Sequence, residues 1–320
     1  MIHVRVVTPA DRTEAVLGVL AASPAVVNVI HLAGAARKPV GDVVLCDVAR
    51  EDASLVTGEL RALGIPQVGS ITLDPIDTTI SDAAARAEQA AEGLPSDAVV
   101  WERVEATVGE STELSWSFLA FMVIATLIAA VAILVDSPVL IVGAMVVGPE
   151  FGPLAGLAVA LVQRRRPLAR ASLLALVVGF AVAVVAAYLG TEAMEALGIV
   201  GGGAHTNAVR PLTGFTSKPD ALSFLVAYLA GTAGILSLTT SKSSVLIGVL
   251  ISVTTIPAAA NIAVAAADSA WSECGEAAAQ LSLNLAALVL AGVVTLALQR
   301  AAFAARRRRR RTERARAGSG

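Results

Sequence analysis

Cysteine and histidine are scarce in this chain, with two of the first and three of the second among 320 residues. Two cysteines, Cys46 and Cys274, are too few for a disulfide framework and read as structural. His3, His31 and His205 show no ligand spacing, and no Cys/His cluster points to a metal centre. Gly201-Gly202-Gly203 lacks the strand, the lysine and the helix start of a phosphate-cradling loop. A nucleophile motif of the Gly-x-Ser-x-Gly kind is also missing. These absences argue against an enzyme and against a bound cofactor. Nor does Met1 open into a charged segment followed by an apolar one; it leads straight into a strand-like pattern, as expected of a domain that stays in the cytosol.

Charge is missing from most of the chain and concentrated at its ends. Residues 1–113 hold 8 basic and 17 acidic residues, a net of −9. Residues 114–299 hold 7 basic and 8 acidic residues among Ala, Val, Leu, Ile and Gly. Residues 300–320 hold 9 arginines and one glutamate, a net of +8. The formal total of −2 therefore conceals an acidic soluble domain, a membrane domain and a basic tail. The expected boundaries are 1–78, a helical linker over 79–114, a membrane domain over 115–300 and a tail over 301–320.

The first region reads strand, helix, strand, strand, helix, strand. His3 to Val7 forms a strand closed by Pro9, and Asp11 to Ala22 a helix with Ala15, Val16, Val19 and Leu20 at helical spacing. Val26 to His31 and Asp42 to Val48 are β-branched runs separated by a turn-forming stretch from Gly34 to Gly41. Glu51 to Leu63 is a second helix ended by Gly64, and Val68 to Leu73 a fourth strand. This βαββαβ order is the split, ferredoxin-like arrangement of an α+β domain. In the linker, Ser81 to Glu92 is a polar, Ala-rich helix. Trp101, Val104 and Val108 then recur at helical spacing, either on an interfacial helix or on a packed linker.

Six apolar runs follow, near 116–135, 138–162, 168–190, 221–240, 244–267 and 277–299. Arg164, Arg165, Arg166, Arg170, Lys242 and the arginine tail all fall on one side of such a six-span domain. The opposite loops carry Asp136, Glu192, Glu195, Asp220, Asp268, Glu273 and Glu276 against Arg210 and Lys218 alone. The basic side faces the cytoplasm, which places both termini there and the two cysteines on opposite sides. The expected location is a prokaryotic plasma membrane. The tail from Arg306 to Arg311 follows a span directly, so anionic lipid headgroups are its expected partner rather than nucleic acid.

Within the second run lies Gly148-Pro149-Glu150-Phe151-Gly152-Pro153. At about 1.5 Å per residue from Pro138, Glu150 sits roughly 18 Å into a hydrocarbon core about 30 Å thick. A charge and two helix breakers belong there only against protein or a water-filled cavity. Glu150 reads as a titrating carboxylate, a cation ligand or the partner of a base. The bland alternative is a neutral carboxyl hydrogen-bonded to backbone freed by Pro149 and Pro153.

The fifth run echoes the second. Ser137-Pro138-Val139-Leu140-Ile141 and Ser243-Ser244-Val245-Leu246-Ile247 open them, Gly143 and Gly248 follow, and Pro257 interrupts the fifth. Three spans per half makes a 3+3 inverted repeat, whose broken helices point to a transport site, unless two short apolar segments merely look alike. Gly148, Gly152 and Gly156 stand four residues apart, a spacing that admits a close neighbouring helix. Thr239, Thr240, Ser241 and Lys242 belong to a hydroxyl-rich turn, read either as an anion site or as a solvated loop. Asn261 and Asn284 are polar groups near membrane depth that suit interhelical hydrogen bonds equally well.

Val142-Gly143-Ala144-Met145 with Gly152-Pro153-Leu154, and the stretch from Gly234 to Lys242, resemble two signature segments of one family. It is domain-of-unknown-function family 389, a group of bacterial and archaeal membrane proteins, and the likeness runs from Leu114 to Arg300. The resemblance implies an integral membrane protein without a settled biochemical role. The family pattern often has an apolar residue at the position of Glu150, so no shared role for that carboxylate is implied.

Two functions are expected of such a chain. The first is a secondary transporter or channel for a small solute or ion, with a cytoplasmic regulatory or oligomerisation domain. Its pathway residues are Gly148, Pro149, Glu150, Gly152, Pro153, Pro257 and Asn261, with Thr239 to Lys242. The second is a non-transporting sensor or scaffold whose soluble domain binds a ligand or partner. A homo-oligomer suits either.

Overall fold

The computed structural model describes residues 1–91, 93, 98–199, 213, 220–240 and 255–317, with backbone alone for residues 307 and 310–317. The chain divides into two compact units. One comprises Met1–Glu105, Thr239–Ser241 and Ala304–Gly320; the other comprises Ala106–Leu238 and Lys242–Phe303.

In the first unit, β1 (Ile2–Thr8) buries Ile2, Val4, Val6 and Thr8, the alternation of a strand with one face on a core. Helix α1 (Ala10–Ala21) buries Thr13, Val16 and Leu20. Ala15, expected on the buried face, is exposed. Strands β2 (Val26–Arg37) and β3 (Val40–Val48) form a hairpin longer than the sequence suggests. The stretch after Gly34 continues the strand instead of turning. Register shifts between Val27 and Ile30 and between Leu32 and Ala36 absorb the extra residues. Helix α2 (Arg50–Ala62) ends at Leu63 and Gly64, whose φ of 73° is a left-handed turn that glycine accepts without strain. A short helix α3 (Ile65–Val68), with Pro66 in its first turn and Ile65 fully buried, then delays β4 to Ser70–Pro75. The four strands form one antiparallel sheet in the order β2-β3-β1-β4. Ser81 caps α4 (Asp82–Ala90) by accepting from the Ala84 amide at 3.3 Å.

In the second unit, α5 (Trp101–Ser111) contributes its last turns, and Val108 is buried there. The apolar helices follow as α6 (Trp116–Leu134), α7 (Pro138–Val147), α8 (Phe151–Gln163), α9 (Arg166–Ala196), α10 (Ala221–Thr239), α11 (Thr255–Ala267) and α12 (Trp271–Ala317). By length and composition α6, α9, α10 and the stretch Trp271–Arg306 of α12 are each sufficient to cross a membrane. The pair α7 and α8, bent by 54°, makes a fifth if counted as one span. Of the expected fifth run, residues 244–254 lie outside the described residues and the remainder is α11. Helix α12 runs on through the basic tail to Ala317.

Helix α11 lies at the centre, packed on α6, α7 and α9, with ten of its residues buried. A helix apolar and covered on nearly all sides belongs to a protein interior. Its polar residues, Thr255 and Asn261, therefore face protein. Small side chains such as Ala125, Ala129, Ala144, Ala183, Ala259 and Ala263 fill this core and hold the helices close.

Asp42 ties the bulged hairpin of the first unit together. Its carboxylate accepts from the Gly34 amide at 2.8 Å and from the Thr13 hydroxyl at 2.7 Å, and His31 Nε2 lies 3.0 Å away. These contacts, the Gly34 amide foremost, hold its pKa at about 2 against an ordinary 3.8. They also explain why Thr13 is buried. On the next strand turn Cys46 is fully buried and free, its thiol pushed up to about 12 by desolvation and by neighbouring Asp47. Cys274 is free and half-buried. Arg306 donates to the fully buried Asp52 at 2.9 Å and to the Glu51 carbonyl at 3.2 Å, while Arg308 and Arg309 are exposed. A carboxylate whose folded pKa is depressed adds stability above its unfolded pKa and loses it as pH falls through its folded value. Asp42→Asn should therefore lower the melting midpoint at neutral pH. The gap to the parent should shrink as pH drops from 3.8 toward about 2, as read by thermal unfolding across an acid series.

Candidate functional site: a broken helix around Glu150

Helix α7 stops because Pro149 offers no amide and biases the residue before it toward extended backbone. Gly148 duly has ψ 128°, and its own amide still bonds the Ala144 carbonyl at 3.2 Å. Glu150 takes the N-cap position of α8, its carbonyl accepting from Leu154 at 3.2 Å. Pro153 sits in the first turn of α8, where an amide would have no helical partner in any case. The break thus follows directly from two prolines placed four residues apart.

Glu150 is 5% exposed, and its Oε1 accepts from the Thr255 hydroxyl at 2.6 Å. Its Oε2 is buried with no hydrogen-bond partner. Thr255 begins α11, so one hydrogen bond joins the starts of two short helices, each with proline at its third position (Pro153 and Pro257). Gly148 completes the arrangement, because a Cβ there would overlap Glu150 Oε2 and meet Ile256 Cγ1 at 2.7 Å. Glycine is required here for space.

Other residues proposed from the sequence take separate places. Gly152 faces Ser111 and Gly156 faces Thr112 and Ser172, so these two glycines admit the end of α5 against α8. Asn261 is fully buried and donates to Glu273 at 3.2 Å. It lies six residues beyond Thr255, about 9 Å along the helix. Thr239 closes α10 and, with Thr240, is counted with the first unit. Ser241 and Lys242 lie outside the described residues. Among the described residues no three His, Cys, Asp or Glu side chains gather as metal ligands. Thr255 escaped the sequence reading, although a hydroxyl two residues before Pro257 in the echoed run was its signal.

Beside the break lies a cavity of about 380 Å³. Gly148, Pro149 and Phe151 form part of its wall, Phe118 and Phe121 of α6 another part, and Glu110 and Glu113 lie at its edge.

Alanine substitutions at two glycines separate the tight position from an open one. Gly148→Ala should destabilise by about 1–3 kcal/mol through overpacking. Gly143→Ala, with nothing within 4 Å of the added carbon, should be neutral or stabilising by up to about 1 kcal/mol. Thermal unfolding in detergent measures both.

Residues 145–290 match the family described as Domain of unknown function (DUF389). The matched stretch holds the whole of the broken site from Gly148 to Pro257 and the segment from Gly234 to Lys242, whereas Val142, Gly143 and Ala144 fall just before it. No curated protein and no solved structure matches this chain. The family resembled by the signature segments is thus the family whose model matches residues 145–290, a domain of unknown function.

Proposed function

We propose that the protein is a multi-pass membrane protein that moves a small solute or ion across the bilayer, as a secondary transporter or channel. The observation that carries this reading is a buried carboxylate at a break in an apolar helix pair, with one oxygen bonded to Thr255 and the other unpartnered. Ionisable side chains at such depth are costly and mark ion or substrate pathways. A proton or small cation arriving at Oε2 neutralises a charge that is otherwise buried at high cost. Discontinuous helices meeting around one site are what inverted-repeat transporters use. The matched prolines of α8 and α11 support a 3+3 repeat of six spans.

On this reading the basic loops put both termini in the cytoplasm of a prokaryotic cell, and the exposed arginines of the tail meet anionic headgroups. The sheet order of the first unit suits a ferredoxin-like regulatory or assembly domain. Its edge strand β2 exposes Val29, Ile30 and Leu32, a surface suited to a second copy. The rival reading, a non-transporting sensor or scaffold, draws on Gly152 and Gly156, whose contacts are packing alone.

Purified protein in liposomes should carry a proton or solute flux, and Glu150→Gln should cut it by about tenfold or more while leaving the fold intact. Thr255→Val should lower it less, since the carboxylate remains. Unchanged flux in folded Glu150→Gln removes Glu150 from the pathway. Absence of flux for protons and for cationic, neutral and anionic solutes favours the sensor.

A further inference from the structure

The cavity beside the break has a distinctive chemistry. Its wall carries three phenylalanines, Phe118, Phe121 and Phe151, and among the described residues no lysine, arginine or histidine lines it. Glu110 and Glu113 at its edge are exposed and form no side-chain hydrogen bond or ion pair among the described residues. Nearby hydroxyls are already engaged. Ser111 donates to the Thr107 and Val108 carbonyls, and Ser115 accepts from the Phe118 amide. Among the described residues, these two carboxylates are thus the charged groups that a ligand there would meet.

Gly148 links this cavity to the buried site. It belongs to the cavity wall, and it is also the residue against which the unpartnered Oε2 of Glu150 lies. Glu150 itself is 5% exposed. A ligand in the cavity is therefore one residue removed from a third carboxylate. Concave surfaces bearing charge of one sign concentrate ions of the other, and aromatic faces attract cations once water is displaced. A volume of about 380 Å³ suits a small organic molecule rather than a bare ion.

We propose that this cavity binds a small organic cation, an ammonium or guanidinium head on an apolar body, and that this is the class of solute presented to Glu150. The proposal rests on the transport reading for its purpose but on the cavity for its chemistry. Among the described residues the charges an anion meets there are carboxylates. Neutral apolar molecules gain the phenylalanines without the charge.

The test uses the full chain in nanodiscs of zwitterionic lipid at low salt. The probes are benzyltrimethylammonium, its neutral isostere neopentylbenzene, and benzenesulfonate. Calorimetry should show saturable binding of the cation, about tenfold tighter than the isostere. Benzenesulfonate should give no heat. Glu110→Gln with Glu113→Gln, at exposed positions that leave folding unaffected, should weaken the cation about tenfold and leave the isostere unchanged. Phe121→Leu should weaken the cation about threefold. The proposal is overturned by absence of saturable cation binding, by equal binding of sulfonate, or by a double variant that binds as tightly as the parent. Equal binding of the isostere assigns the cavity to a lipid chain and also overturns it. No gradient enters this assay, so the two readings fail separately. Cation binding without any flux sinks transport alone, and Glu150-dependent proton flux without cation binding sinks the cation alone.

Discussion

A carboxylate cannot be kept in an apolar interior without reorganising what surrounds it, and most of the second unit is arranged around that constraint. Glu150 has one carboxyl group to place and little water to place it in. Two prolines open the helix around it, a glycine clears the volume that Oε2 occupies, and Thr255 supplies a single short hydrogen bond from another helix. Thr255 can do so because α11 is enclosed on almost every side, which keeps its hydroxyl facing protein rather than lipid. The burial of α11 in turn needs the alanines and glycines that let α6, α7 and α9 come near. Each feature would be a defect alone. Together they hold one oxygen bonded and one bare.

Two buried acids of the first unit, Asp42 and Asp52, follow the opposite strategy, while Glu51 beside Asp52 has neither carboxyl oxygen bonded. Asp42 receives an amide, a hydroxyl and a ring nitrogen, and Asp52 receives a guanidinium. Such saturated acids fix geometry: one pins a bulged hairpin and the other anchors Arg306. An acid left half-satisfied is costly to stability and therefore more readily explained by a task.

Legibility followed the range of the interactions involved. Glu150 stood out because one charge in an apolar run is conspicuous, and the helix break was visible in Pro149 and Pro153. The alternation of β1 and the spacing of Val16 and Leu20 are local patterns, and they carried over into the sheet and α1. Thr255 was hidden because threonine is common in apolar helices, and only the packing of α11 reveals which one meets the carboxylate. The extension of β2 past Gly34 was equally hidden. It depends on Asp42, eight residues later, offering an oxygen to the Gly34 amide. Ala15 has helical spacing with Val16 and Leu20 but lies outside the buried face.

The two thiols differ sharply in access. Cys46 is fully enclosed and its pKa of about 12 keeps it in the unreactive form, whereas Cys274 is partly open to its surroundings. A thiol-directed dye or spin label would thus mark one position per native chain without any engineered cysteine. That position adjoins Glu273, the partner of Asn261 on the central helix. The protein arrives with its own attachment point for a reporter, beside the helix whose first residue holds the buried carboxylate.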